Sequence, residues 1–159
     1  MCALKSNELL KAFKDCGWDI NRLYRNGQAV IHSVCERNDS DTLQFIIDNE
    51  AEINVYDSRK QMPIHYACKS GDVNVVELLL DKGVNADIPD KDGKLPIHYA
   101  CKRGHVNVVK LLLDKGVNVD ISDKDGKLPI HYSCESGDVN VVELLLDKGV
   151  NVHIPDEKL

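Results

Sequence analysis

Long apolar runs are missing from this 159-residue chain. No stretch approaches the ~20 apolar residues that a membrane helix needs. The first six residues, MCALKS, lack the apolar core of a secretory leader. The expected setting is therefore the cytoplasm or the nucleus, with no membrane partner. An excess of positive charge is missing as well, since 20 Lys and Arg stand against 26 Asp and Glu, a net of −6. Phosphate neutralisation needs a basic surface, so broad nucleic-acid binding is not expected. There is no C-x-x-C, which argues against a zinc ribbon or a thioredoxin-type pair. G-x-S-x-G, H-E-x-x-H, G-x-x-x-x-G-K-[ST] and G-x-G-x-x-G are all absent, and the glycines are spread one per turn. No enzyme, cofactor or metal site is expected on these grounds. Asn38-Asp39-Ser40 fits a glycosylation sequon but reads as a chance match in a chain without an export signal.

What is present is a core-forming composition, 43% hydrophobic and 29% charged, arranged with a period. Residues 61–93 and 94–126 are identical at 26 of 33 positions, and 127–159 continues the pattern almost to its end. Residues 28–60 form a divergent copy that keeps Ile31, His32, Cys35 and the apolar run at 43–47. A half unit, residues 6–27, precedes it. Four of the six cysteines, Cys35, Cys68, Cys101 and Cys134, follow the same step of 33 residues. Fixed-period self-similarity of this length signals stacked repeats, each too small to bury its own apolar face.

Each unit has an internal grammar. Pro96 suits the first turn of a helix, where its missing N–H is not needed. Residues 97–103 then make about two turns, and Gly104 stops them in a left-handed conformation. Residues 106–115 form a second helix, apolar on most sides through Val108, Val109, Leu111, Leu112 and Leu113. Gly116 ends it, and Ser122-Asp123-Lys124-Asp125-Gly126 supplies a turn-rich tip. The unit is thus helix, turn, helix, projecting turn. Nine helices are expected, one in the half unit and two in each of the four full units.

This unit resembles the ankyrin repeat, whose pattern D-x-x-G-x-T-P-L-H, G-H turn, Leu-rich helix and G-A-D-V-N is matched by residues 90–98, Gly104-His105, Leu111-Leu112-Leu113 and residues 116–120. The resemblance implies an all-α solenoid forming one domain over residues 1–159, with repeats at 28–60, 61–93, 94–126 and 127–159. It also implies a non-catalytic function in protein–protein interaction. A rigid spacer within a larger protein is the rival reading, favoured by the near-identity of three units. The family's threonine before Pro is replaced by Met62, Leu95 and Leu128, and by Ala29 in the divergent copy. Apolar contact at the first three is expected to offset the lost hydroxyl. Asn38, Glu50 and Lys60 stand where other copies carry turn glycines; Asn tolerates a left-handed conformation, whereas local strain or altered turns are expected near Glu50 and Lys60.

His32, His65, His98 and His131 each precede a cysteine by three residues, a spacing that places two metal ligands on one helix face. Equivalent atoms of adjacent repeats should lie ~8–10 Å apart, too far for a shared zinc ion or a disulfide. The resemblance implies structural histidines bonded to the turn backbone, and the cysteines are expected to be buried thiols.

The family binds partners through finger tips and the outward side of the first helices. Here that surface comprises Arg59, Gln61, Lys69, Lys91, Asp92, Lys94, Lys102, Arg103, Lys124, Asp125, Lys127 and Glu135. Charge by unit runs +2, −4, −3, +2, −3 from residues 1–27 onward. Lys94, Lys102 and Arg103 form a basic island in an acidic array, suited to an acidic or polar segment of a protein partner. At the far end, residues 139–149 are identical to the interior residues 73–83. That helix carries no adaptation to solvent. A further repeat is expected to follow, or the bare end is expected to pack on another molecule, end to end.

Overall fold

The computed structural model describes residues 16–150. Among these residues there are eight helices and no strands: α1 (Val30–Glu36), α2 (Ser40–Asp48), α3 (Pro63–Ser70), α4 (Val73–Asp81), α5 (Pro96–Arg103), α6 (Val106–Asp114), α7 (Pro129–Ser136) and α8 (Val139–Asp147). The ninth expected helix, in the half unit, lies outside the described residues. Successive first helices α1, α3, α5 and α7 pack on one another, and so do the second helices α2, α4, α6 and α8. The result is an all-α, two-layer stack.

Local chemistry explains the helix bounds. Pro63, Pro96 and Pro129 each open a helix. Gly71, Gly104 and Gly137 close those helices in the left-handed region, with φ of 93°, 69° and 75°. A Cβ at Gly104 would also lie 2.6 Å from the Asp138 carboxylate of the next repeat, which would have to swing aside. The second helices α4 and α8 begin with an aspartate whose Oδ1 accepts backbone N–H groups, as Asp72 does from Asn74 at 2.8 Å and Val75 at 3.1 Å. His105 fills this position in the third unit and makes no such cap. Its Nε2 instead reaches back to donate to the Lys69 carbonyl at 3.0 Å, tying α5–α6 to the C-terminal end of α3.

The residues before each first helix are apolar and fully enclosed, as Met62, Leu95 and Leu128 show, so contact replaces the absent hydroxyl. Glu50 and Lys60 adopt φ of 70° and 56°, in keeping with the strain expected there, and Asn38, which tolerates the left-handed region, adopts 59°. A Glu or Lys there costs roughly 1–2 kcal/mol.

The histidines serve the stack. His65, His98 and His131 accept the N–H of Met62, Leu95 and Leu128 on Nδ1 at 3.0, 3.0 and 2.8 Å, and His32 does the same for Ala29 at 3.0 Å. The proton therefore sits on Nε2, which donates across the repeat boundary from His32 to the Gln61 carbonyl at 3.2 Å and from His98 to that of Lys127 at 3.3 Å. His65 Nε2 lacks a bond of regular geometry, although the Lys94 carbonyl acts on it in the same sense. Burial, above all, holds His32, His65 and His98 below the ordinary imidazole range and keeps them neutral.

Cys35, Cys68 and Cys101 are buried, and burial pushes the Cys35 and Cys101 thiols up to about 12. Cys134 departs from the expectation of a buried thiol, because it is exposed, as is His131. Each interior cysteine is covered by the following repeat, and no described residue covers the fourth.

Candidate binding surface

Four fingers project from the stack at residues 24–28, 57–61, 90–94 and 123–127. Each is closed by a pair of backbone bonds, such as Asp90 N–H to Lys94 O and Gly93 N–H to Asp90 O, both 3.0 Å. Neighbouring fingers are joined by one backbone bond per step. Ser58 donates to Asn26 O at 3.0 Å, Lys91 to Arg59 O at 2.8 Å, and Lys124 to Asp92 O at 3.0 Å. The row of tips is therefore held by main chain, whatever side chains it carries.

Inside three of the four fingers sits an aspartate paired with a tyrosine nine residues on. The hydroxyls of Tyr66, Tyr99 and Tyr132 donate to Asp57, Asp90 and Asp123 at 2.7, 2.6 and 2.6 Å. The other carboxylate oxygen of Asp90 accepts the N–H groups of Asp92 and Lys94, both at 2.9 Å. Burial opposes ionisation of Asp90, but the bonds from Tyr99, Gln61 and the finger backbone outweigh it and hold the carboxyl below its ordinary range. Asp57 and Asp123 behave alike. This pairing was absent from the sequence reading, although the D-to-Y spacing recurs at 57/66, 90/99 and 123/132. The divergent first unit has Tyr24 and Ser33 at these positions, so it lacks both members together.

The twelve residues proposed from sequence fall into distinct environments. Gln61 is buried, and its amide donates to Asp90 at 2.9 Å and to the Tyr99 hydroxyl at 2.6 Å, so it works as a strut between repeats. Arg59 is exposed and donates to the Tyr66 hydroxyl at 3.0 Å, with Asp57 3.6 Å away. Lys69 is half-buried, and its carbonyl takes the His105 bond. Lys91, Asp92, Lys124 and Asp125 are exposed on the tips, and Lys102 and Arg103 are exposed on the last turn of α5. Lys94 is half-buried, 3.9 Å from Asp123. Lys127 is hydrogen bonded to the exposed Glu135, which raises its affinity for its proton.

Three of these side chains converge. The ammonium groups of Lys94, Lys102 and Lys127 lie 5.6, 5.8 and 5.5 Å from the ring centre of Tyr132, within cation–π range. Neither of the equivalent rings, Tyr66 and Tyr99, is faced by a lysine in this way. Among the described residues no cluster of three His, Cys, Asp or Glu side chains suits a metal ion.

The family model for ankyrin repeats (three copies) matches residues 1–92 and 83–156. This chain belongs to the ankyrin-repeat family. No curated protein matches it. Ankyrin repeats are in general non-catalytic protein–protein interaction modules, and no described helix of this member is long and apolar enough to cross a membrane.

Proposed function

We propose that this ankyrin-repeat chain is a non-catalytic protein-binding module that takes its partner on the surface formed by the finger tips and the outward side of the first helices. The reading is supported above all by the backbone bonds between tips. Because main-chain bonds join the fingers, with Gln61 and Lys94 as the side-chain links, the side chains of Lys91, Asp92, Lys124 and Asp125 are not needed between fingers and can be given over to a partner. Arg59, Lys69, Lys94, Lys102, Arg103, Lys127 and Glu135 extend the same surface, with Gln61 beneath it. The basic island at Lys94, Lys102 and Arg103 suits an acidic or polar segment of the partner. Free cysteines throughout the described residues agree with a reducing compartment, the cytoplasm or the nucleus.

Affinity capture from the source cell, followed by mass spectrometry, tests this. A partner retained by the native chain and lost when Lys91 and Lys124 are both changed to Glu supports it. Retention of every captured protein by that variant contradicts it and leaves the rigid-spacer reading, which the near-identity of three units favours. The exposed Val139 and Leu146 also suit end-to-end self-association, which sedimentation of the purified chain would detect as a mass that rises with concentration.

A further inference from the structure

The convergence of lysines on Tyr132 occurs at one repeat junction only, although the fold repeats the same positions at every junction. Around Tyr66 the positions of Lys94, Lys102 and Lys127 are held by Gln28, Glu36 and Gln61, with Gln28 and the finger residue Arg59 bonded to the hydroxyl, and around Tyr99 the bridging group is Gln61. At the junction of the third and fourth units the bridging residue is Lys94, and Lys102 and Lys127 join it. The carboxylates facing this cluster are Asp123, Asp125 and Glu135. Asp123 is buried and already accepts the Tyr132 hydroxyl and two backbone N–H groups, while Glu135 is taken by Lys127. Among the described residues, Lys102 and the neighbouring Arg103 have no carboxylate within ion-pair distance. Lys94 pairs with Asp123 at 3.9 Å and Lys127 with Glu135, so the positive charge left over lies at Lys102 and Arg103, with Asp125 the remaining carboxylate nearby.

We propose that this junction is the seat for a short, extended run of carboxylates on the partner; the inference rests on the binding surface proposed above and specifies its occupant. The cations are arrayed about a ring rather than aimed at one point. Three groups each about 5.5–5.8 Å from one centre suit charge spread along a chain better than a single phosphate, whose oxygens want donors together at roughly 2.7–2.9 Å. The array also sets the length. The helix position of Lys102 is Glu36 in the first unit, Lys69 in the second and Glu135 in the fourth. Acidic residues therefore bound a basic stretch two repeats wide. At ~8–10 Å per repeat this stretch spans about 16–20 Å, or about five or six residues of extended chain. Carboxylates beyond it would meet Glu36 on one side and the Lys127–Glu135 pair on the other.

The test uses the full chain, labelled with nitrogen-15, and a fluorescent hexaglutamate peptide, with hexaglutamine and inorganic phosphate as comparators. Lys102→Glu with Arg103→Ser installs the residues that the fourth unit already carries at these positions, so the fold tolerates them. Lys110→Glu, on α6, likewise copies Glu77 and Glu143 and serves as the control. Hexaglutamate is expected to bind, to shift amides around Lys94, Lys102 and Lys127, and to lose about tenfold or more in affinity in the double variant but not in Lys110→Glu. Raising salt should weaken it as screening sets in over ~8–10 Å. Equal binding of hexaglutamine, scattered amide shifts, or equal loss in Lys110→Glu would overturn the inference. Full displacement by phosphate at the peptide's own concentration would also overturn it, in favour of a single-oxyanion seat. Failure of hexaglutamate leaves the wider surface standing if a captured partner is still lost on changing Lys91 and Lys124. Retention of every captured protein by that variant removes both.

Discussion

Helices α4 and α8 have the same nine residues, VNVVELLLD, and different surroundings. In α4, Val73 and Leu80 are half-buried against the next unit. In α8 the equivalent Val139 and Leu146 are 65% and 48% exposed. Leu79 and Leu145, which face their own unit and the one before it, are fully buried in both. The same contrast runs through the first helices, where Cys101 and His98 are enclosed and Cys134 and His131 are not. Burial in this array is therefore set by the neighbour that follows each unit. One face of every repeat is covered from behind, and the other waits for the next repeat.

The largest expected consequence is in thiol chemistry. Cys101 should react with a thiol reagent only through opening of the stack, and Cys134 directly, so their labelling rates should differ by at least ~10³-fold for a domain of ordinary stability. Mass spectrometry of native protein during a labelling time course reads both. Comparable rates would show that the fourth unit is covered after all.

Next comes the core. Leu112, fully buried in α6, should cost ~2–5 kcal/mol on change to Ala, through lost transfer energy and a cavity. Leu146→Ala on the bare face should stay within ~0.5 kcal/mol. Chemical denaturation of the two variants sharpens the comparison, and similar losses would break it.

The enclosed histidines follow. His32, His65 and His98 have folded pKa values below the unfolded imidazole, so the unfolded chain binds protons first as pH falls. Their contribution is present above ~6.5, the unfolded value, and is lost as pH falls below it toward the folded pKa. Urea midpoints should drop between pH 7.5 and 5.5, and His98→Gln should flatten that dependence.

The smallest effect concerns the divergent first unit. Glu50→Gly and Lys60→Gly relieve left-handed strain, and each should stabilise by about 1 kcal/mol. A thermal midpoint that rises for these but falls for Gly116→Ala would set the divergent turns apart from the regular ones.

Much of this architecture was legible in the residues. The period of 33 residues is self-similarity on the page, the Pro–Gly bounds of the first helices follow from local steric preferences, and the left-handed turns at Asn38, Glu50 and Lys60 are legible by register with the glycines of the other copies, against the preference of Glu and Lys. The surface was legible only in part. Gln61 reads as an outward polar residue by its place after a turn, yet it is a buried strut, because Asp90 and Tyr99 of the next repeat offer its amide two acceptors. The aspartate–tyrosine pairs recur visibly at a spacing of nine, but that spacing has no helical or strand meaning and gains one only when the finger folds back on the helix.

By itself, then, the sequence determined the repeat, its helices and its turns, because these depend on backbone preferences within a few residues. Tertiary structure alone decided which of several identical side chains are enclosed, which carboxylate each tyrosine meets, and that three lysines from two units surround Tyr132. Those outcomes depend on pairs 5 to 38 residues apart, the nearer brought together by the finger folding back on its helix and the farther by stacking, and no local preference distinguishes one copy of a repeat from the next.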